Sequence, residues 1–208
     1  MEVSNYDIIA PYYDRLSRIV FGSKLKDAQL YLIEQIQPGS SILIVGGGDG
    51  WVLEAISRHC SHGLSITYID SSEVMIALAK ARDADSNVVN LITAKVEDIT
   101  LPKMYDNVFT AFLFDNFPQD LCDRIFCKIA GNLKPGGLWL FVDFVNANNW
   151  VHRLLLKSMF VFFRLLCGVE SGKLPDMDAF FSKEKYICKG TEYWMSGFIK
   201  AQVFEKLN

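Results

Sequence analysis

A run of glycines set between a strand-like and a helix-like segment constrains this chain more than any other feature. Gly46-Gly47-Gly48-Asp49-Gly50 follows the apolar run SILIV (41–45) directly and opens the helical spacing of 50–59. A ligand lying across a strand end needs backbone that turns sharply and approaches closely without Cβ atoms. It also gains from the free N–H groups of the next helix. The same glycines elsewhere would make only a flexible turn. The spacing departs from the dinucleotide pattern GxGxxG, whose third glycine would fall on Val52 or Trp51. Large residues there argue against a snugly held pyrophosphate and favour a nucleoside cofactor without phosphates.

From Ser41 onward, short runs rich in β-branched residues alternate with helical spacing, the pattern of parallel strands joined by crossover helices. It predicts strands over 41–45, 65–70, 88–93, 106–114 and 137–144, each apolar enough for burial on both faces. Helices are predicted over 50–59, 73–82 and 119–133. Ser71 and Ser72 are N-cap candidates for the second, Pro118 precedes the third, and Pro135, Gly136 and Gly137 stop it. Beyond lie an aromatic helix over about 150–167, a short helix near 176–181 and two β-like runs joined by Met195 and Ser196. The two runs read as a hairpin on the sheet edge. The expected fold is a three-layer, Rossmann-like α/β fold around a mostly parallel seven-stranded sheet. It forms one domain over 1–208: an N-terminal lid or helical segment (1–40), a cofactor-binding core (41–144), and cap helices with C-terminal strands (145–208).

Composition narrows the partners. At 208 residues, half of them apolar, the chain can bury one sizeable core. Twenty-one Lys and Arg against 24 Asp and Glu leave a net charge of −3, which speaks against nucleic acid. Five cysteines in mismatched contexts, without a CxxC, fit a reduced, cytoplasmic chain. The N-terminus has no basic region followed by an apolar run, so no secretory signal is expected. The apolar stretch 150–168 is interrupted by His152, Arg153, Lys157 and Arg164, so no transmembrane segment is expected. No cluster of metal ligands is visible, and His59 and His62 beside Cys60 read as solvated or capping residues.

The second strand ends in Asp70, twenty residues after Gly50. That is the distance of a ribose-binding carboxylate, whose two oxygens accept from the two ribose hydroxyls. A strand-end Asp can also simply cap the helix that follows.

Five segments in order resemble the class I S-adenosylmethionine-dependent methyltransferases. ILIVGGGDG (42–50) is similar to the family's glycine-rich motif, TYIDSS (67–72) to its ribose-binding acid, and NLITAKVEDI (90–99) to its adenine-contacting segment. YDNVFTAFLFDNFP (105–118) and LKPGGLWLFVDF (133–144) match its fourth- and fifth-strand motifs. YDIIAPYYDRL near the N-terminus resembles the opening of the quinone-biosynthesis branch, where such a segment folds over the cofactor.

The resemblance implies S-adenosyl-L-methionine as cofactor, S-adenosyl-L-homocysteine as product, and a small, apolar or aromatic acceptor. It implies cofactor contacts at Gly46, Gly47, Gly48, Asp49, Gly50, Asp70, Ser71, Met75, Val96, Glu97, Asp98, Phe112 and Tyr13. The implied acceptor pocket is Tyr6, Phe114, Asp115, Asn116, Phe117 and Trp150. Two positions depart from the family. Ile44 replaces a first-strand acid and Lys95 replaces an adenine-contacting Asp, leaving Asp49 or Asp115 to meet the methionine ammonium.

Methyl transfer from a sulfonium requires mainly positioning and desolvation, so no catalytic residue is obligatory. His152 is the general-base candidate. The helix around it reads as a buried crossover, with a cap over a lipid-like acceptor or a peripheral membrane contact as alternatives. GGGDG also resembles spermidine synthases, but their proton-accepting Asp would fall on Ala111 here. A non-catalytic binding module is the other alternative.

Overall fold

The computed structural model describes residues 18–59, 63–101, 104–145, 149–167 and 173–208, and in the last turn of the 150–167 helix no side chain except that of Arg164. Tyr6, Tyr13, Cys60 and His62 lie outside them. Seven strands form one sheet in the order β3-β2-β1-β4-β5-β7-β6. They are β1 (Ser41–Val45), β2 (Ser65–Asp70), β3 (Val88–Thr93), β4 (Tyr105–Ala111), β5 (Leu133–Phe144), β6 (Tyr186–Trp194) and β7 (Ile199–Lys206). β1 pairs in parallel with β2 and β4, β2 with β3, and β4 with β5. Among the described strands β7 alone runs opposite to the other six, antiparallel to both β5 and β6. The strand order reverses between β1 and β4, the point at which open α/β sheets hold ligands beyond their carboxyl ends.

Helices cover both faces. On one side α1 (Lys24–Ile33) and α2 (Trp51–His59) bury Ala28, Leu32, Ile33, Leu53 and Ile56 against Ile42, Ile44, Ile66, Phe109, Leu140 and Val142. α3 (Glu73–Lys80) adds Ala79 to this cluster. On the other side α4 (Gln119–Gly131) and α6 (Met177–Lys183) bury Leu121, Ile125, Phe126, Ile129 and Phe181 against Val108, Trp139, Phe141 and Phe204. Each such side chain is worth about 1.5–3 kcal/mol when fully buried. The Trp139 indole N–H donates to Thr110 Oγ1 at 2.9 Å, so that donor is satisfied inside the aromatic cluster. α5 (Trp150–Cys167) leads from the fifth strand towards α6. No helix among the described residues is long and apolar enough to cross a bilayer.

Several expectations need correction. β3 is an edge strand whose residues alternate between half-buried and exposed, with Val88 72% exposed, so it is not buried on both faces. β4 stops at Ala111 rather than 114, because Phe112 turns to a φ of 51° and a 3₁₀ turn, Phe114–Asn116, follows. β5 starts at Leu133, where KPGG bulges out of register between the pairs Tyr105–Leu133 and Asn107–Leu138. The C-terminal pair is a hairpin, with Met195 and Ser196 both at positive φ in its turn.

Candidate functional site

A cavity of about 840 Å³ opens over the carboxyl ends of β1, β2 and β4, between α1 and α5. This lies within the range of small-molecule sites, about 300–1,000 Å³. Its floor is the loop Gly46 to Asp49. The Gly46 N–H donates to the Ile69 carbonyl at 2.8 Å, tying the loop to β2. A Cβ on Gly47 would stand 2.1 Å from Cζ of the buried Tyr68. Gly48 has a φ of +67° and open space where a Cβ would project.

Asp70 organises both sides of the switch point. One carboxylate oxygen accepts from the Gly48 N–H at 2.9 Å and the other from the Ser72 N–H at 3.0 Å. Ser72 Oγ then accepts from the Met75 N–H and caps α3. Each carboxylate oxygen has two acceptor sites. Asp70 thus ties the glycine loop to the start of α3 while lining the cavity.

Asp49 is committed elsewhere. It accepts from the Trp51 N–H at 3.1 Å, opening α2, and pairs with Arg82 at 2.5 Å. Arg82 also reaches the Asp49 carbonyl and Glu54. Of the two acids considered for an ammonium, Asp115 faces the cavity with no such cation paired to it among the described residues. It is only 9% exposed, and the Asn116 amide donates to it at 2.8 Å.

Behind Asp115 lies Asp143, a buried acid inside the apolar run of β5 that sequence reasoning passed over. The Phe114 and Phe144 N–H groups donate to its two oxygens at 3.1 and 2.8 Å. Burial pushes the Asp143 carboxyl up to about 7 despite these bonds. Burial, and then the charge of Asp143, holds Asp115 well above the ordinary carboxylate range. A buried acid pair at the cavity wall thus retains a proton far above the pH at which free carboxyls lose theirs. Phe112, a non-glycine residue in the left-handed region, projects beside the pair and packs its ring on Phe144 at 4.9 Å. Such backbone costs about 1–3 kcal/mol and concentrates at functional sites.

The cavity collects Gly46, Gly47, Gly48, Asp49, Asp70, Ser71, Met75, Val96, Glu97, Phe112, Asp115, Asn116 and Phe117 from the sequence-derived set. Gly50, Asp98, Phe114, Trp150 and His152 are not in its lining. Gly50 packs against Ala79 of α3, Phe114 is buried in the opposite core, and Trp150 is 69% exposed. His152 is buried against Phe198, with ring centroids 5.1 Å apart and no hydrogen bond at Nδ1 among the described residues. Sequence reasoning missed the wall made by Phe21 and by Leu25 and Gln29 of α1. It named the α5 segment as a roof without its contact residues (Leu155, Met159, Phe162). An apolar stripe on each helix was the only signal for them. Ala111 also lines the cavity, so the position that aminopropyl transfer would give to an Asp carries a methyl group.

Comparison with known proteins agrees with this geometry. A methyltransferase-domain family model matches residues 42–137. The fold is that of the class I S-adenosylmethionine-dependent methyltransferases. Over 186 residues the chain is 29% identical to the ubiquinone/menaquinone biosynthesis C-methyltransferase UbiE of Geotalea daltonii, covering 86% of this chain and 73% of that one. The Ralstonia pickettii protein of the same name is 26% identical, and the match covers 65% of this chain and 57% of that relative. Among solved structures, the DhpI complex with S-adenosylhomocysteine has a TM-score of 0.67 at 19% identity, covering 96% of this chain and 93% of that one. Magnesium protoporphyrin IX methyltransferase of Synechocystis, also holding S-adenosylhomocysteine, has a TM-score of 0.66 at 13% identity, covering 94% and 87%. At these identities the structures speak for the fold alone. The matched segment ends at residue 137, in the bulge near the start of β5, so the cavity's α1 and α5 walls lie outside it.

Proposed function

We propose that this protein is an S-adenosylmethionine-dependent methyltransferase acting on a small, apolar or aromatic acceptor. The observation that carries the reading is one continuous cavity. It is polar over the Gly46 to Asp49 loop and Asp70, and apolar between Phe112, Phe117, Leu155, Met159 and Phe162. The residues fit a nucleoside cofactor: open space beside Gly48 admits close approach, and the Asp70 carboxylate lines the cavity at the end of β2. S-adenosylmethionine supplies a methyl group already made electrophilic by its sulfonium.

The protein's residues divide the remaining work. Asp70 holds the ribose. Met75, Val96 and Glu97 border the adenine. Asp115 and nearby backbone carbonyls receive the ammonium, since Ile44 offers no acid and Asp49 is paired. Phe112, Phe117, Met159 and Phe162 exclude water around the acceptor, which strengthens every polar contact inside. The ubiquinone/menaquinone biosynthesis C-methyltransferases among the relatives support quinone-type compounds as first acceptors to test.

The test is thermal unfolding with and without S-adenosylmethionine and S-adenosylhomocysteine, followed by an acceptor screen. Ligand at about a hundredfold above its Kd stabilises the folded state by about 2.7 kcal/mol. A shift with both ligands and turnover of an apolar acceptor is the expected result. No shift with either, or turnover of highly charged acceptors alone, overturns the reading. Binding of both without turnover of any acceptor class makes the protein a non-catalytic module.

A further inference from the structure

α5 has two apolar faces, and only one of them is used by the cavity. Leu155, Ser158, Met159 and Phe162 point inward and line it. On the other side Trp150, Leu154 and Val161 are exposed at 69%, 61% and 57%. Offsets of four and seven residues place these three within about 40° of each other around the helix axis. Arg153, Lys157 and Arg164 repeat the same offsets and are all exposed, forming a parallel row of cations roughly 60° away. No acidic residue occurs in the helix, although the whole chain carries a net charge of −3. Val20, which lines the cavity mouth, and its neighbour Ile19 are exposed apolar residues as well.

Three bulky apolar side chains in register beside three cations are the arrangement of a helix lying in a lipid interface. The apolar stripe enters the acyl boundary, long basic stems snorkel to the phosphates, and a terminal Trp sits at the headgroup level. A second copy of the chain is a poorer occupant, because a self-complementary contact through this face would bring two rows of cations together. The row of cations selects an anionic surface.

We propose that α5 docks the protein on an anionic lipid bilayer through Trp150, Leu154 and Val161, with Arg153, Lys157 and Arg164 on the lipid phosphates. The cavity roofed by the same helix then opens at the membrane surface. None of these six residues lines the cavity, so docking and the methyl-transfer reading stand or fall separately.

The experiment is cosedimentation of the full chain with vesicles of phosphatidylcholine alone and of phosphatidylcholine mixed with phosphatidylglycerol, at low and high salt. Partition onto the mixed vesicles, and its release by salt, are expected. The variant R153Q/K157Q/R164Q should lower the partition coefficient about a hundredfold, as three cations near the surface imply. The single variant Leu154→Ser should weaken docking without touching charge. Wild-type protein that stays in solution with mixed vesicles overturns the proposal. So does equal partition onto both vesicle types, or a triple variant that partitions like wild type. A concentration-dependent dimer abolished by Leu154→Ser would assign the face to a second copy instead. If the triple variant does not fold, the salt response of wild type and the Leu154→Ser partition still decide. Intact docking without a cofactor-induced thermal shift would refute the methyltransferase reading and leave this one standing.

Discussion

Gly47→Ala tests the floor of the cavity by volume alone. Gly47 does not adopt a positive φ, so alanine meets no backbone penalty there. Its Cβ would stand 2.1 Å from Cζ of Tyr68 and 2.4 Å from the phenol oxygen. The Tyr68 ring is buried among the β1 and β2 side chains, and its hydroxyl donates to the Gly48 carbonyl at 2.9 Å. The ring cannot retreat without giving up that bond. Overpacking costs about 1–3 kcal/mol and a lost hydrogen bond about 1 kcal/mol, together about 2–4 kcal/mol. For a chain of this size the loss lowers Tm by roughly 4–16 °C. Urea unfolding followed by intrinsic fluorescence should show a lower midpoint with an unchanged slope. Gly48→Ala is the control. Its Cβ meets nothing, but its φ of +67° costs about 1–2 kcal/mol, and the methyl projects where ligand approach is proposed. It should therefore lose more cofactor affinity than stability. A Gly47→Ala protein within about 0.5 kcal/mol of wild type, or one more stable than Gly48→Ala, refutes this packing.

Asp70→Ala should weaken S-adenosylmethionine binding by about 1.5–3 kcal/mol in isothermal titration, through lost charge-assisted hydrogen bonds, and unchanged affinity would contradict the ribose assignment. Asp143 makes stability depend on pH in a defined direction. Its folded carboxyl titrates at about 7 and its ordinary value is 3.8, so between these pH values the native state holds a proton that the unfolded chain releases. Its contribution is therefore greatest at acid pH, declines as pH rises through that window, and levels off above about 7. The difference in unfolding free energy between wild type and Asp143→Asn, measured by urea titration across the window, should fall with rising pH. A flat difference refutes the assignment.

What the sequence made legible was local. The glycine loop, its flanking strand and helix, and Asp70 follow one another within thirty residues, and the period-two and helical patterns there survive in β1, β2, α2 and α3. What escaped was long-range. Asp143 sits in an apolar run that reads as plain strand, and only the parallel pairing of β4 with β5 brings it beneath Asp115. Arg82 sits at the end of α3, and nothing local says that it neutralises Asp49 across 33 positions. His152 drew interest as a lone histidine on an aromatic helix. The helix turned that position towards Phe198 and gave the cavity to Leu155 and Met159. Edge position is likewise a property of the assembled sheet, which is why β3 read as more buried than it is.

The placement of β7 governs the order in which the sheet can be built during synthesis. β6 emerges first yet among the described strands pairs with β7 alone, which must slide in between it and β5. A nascent chain can close β1 to β5 while β6 waits as an unpaired strand and β5 as an open sheet edge, exposed to aggregation and to chaperones. When β7 arrives, Lys206 also reaches back to the carbonyls of Ala130 in α4 and Leu133 at the start of β5, so the final strand fastens a helix made some seventy residues earlier. Premature termination before Ile199 would therefore leave a molecule with a formed glycine loop and an open sheet, a substrate for quality control rather than a weaker enzyme.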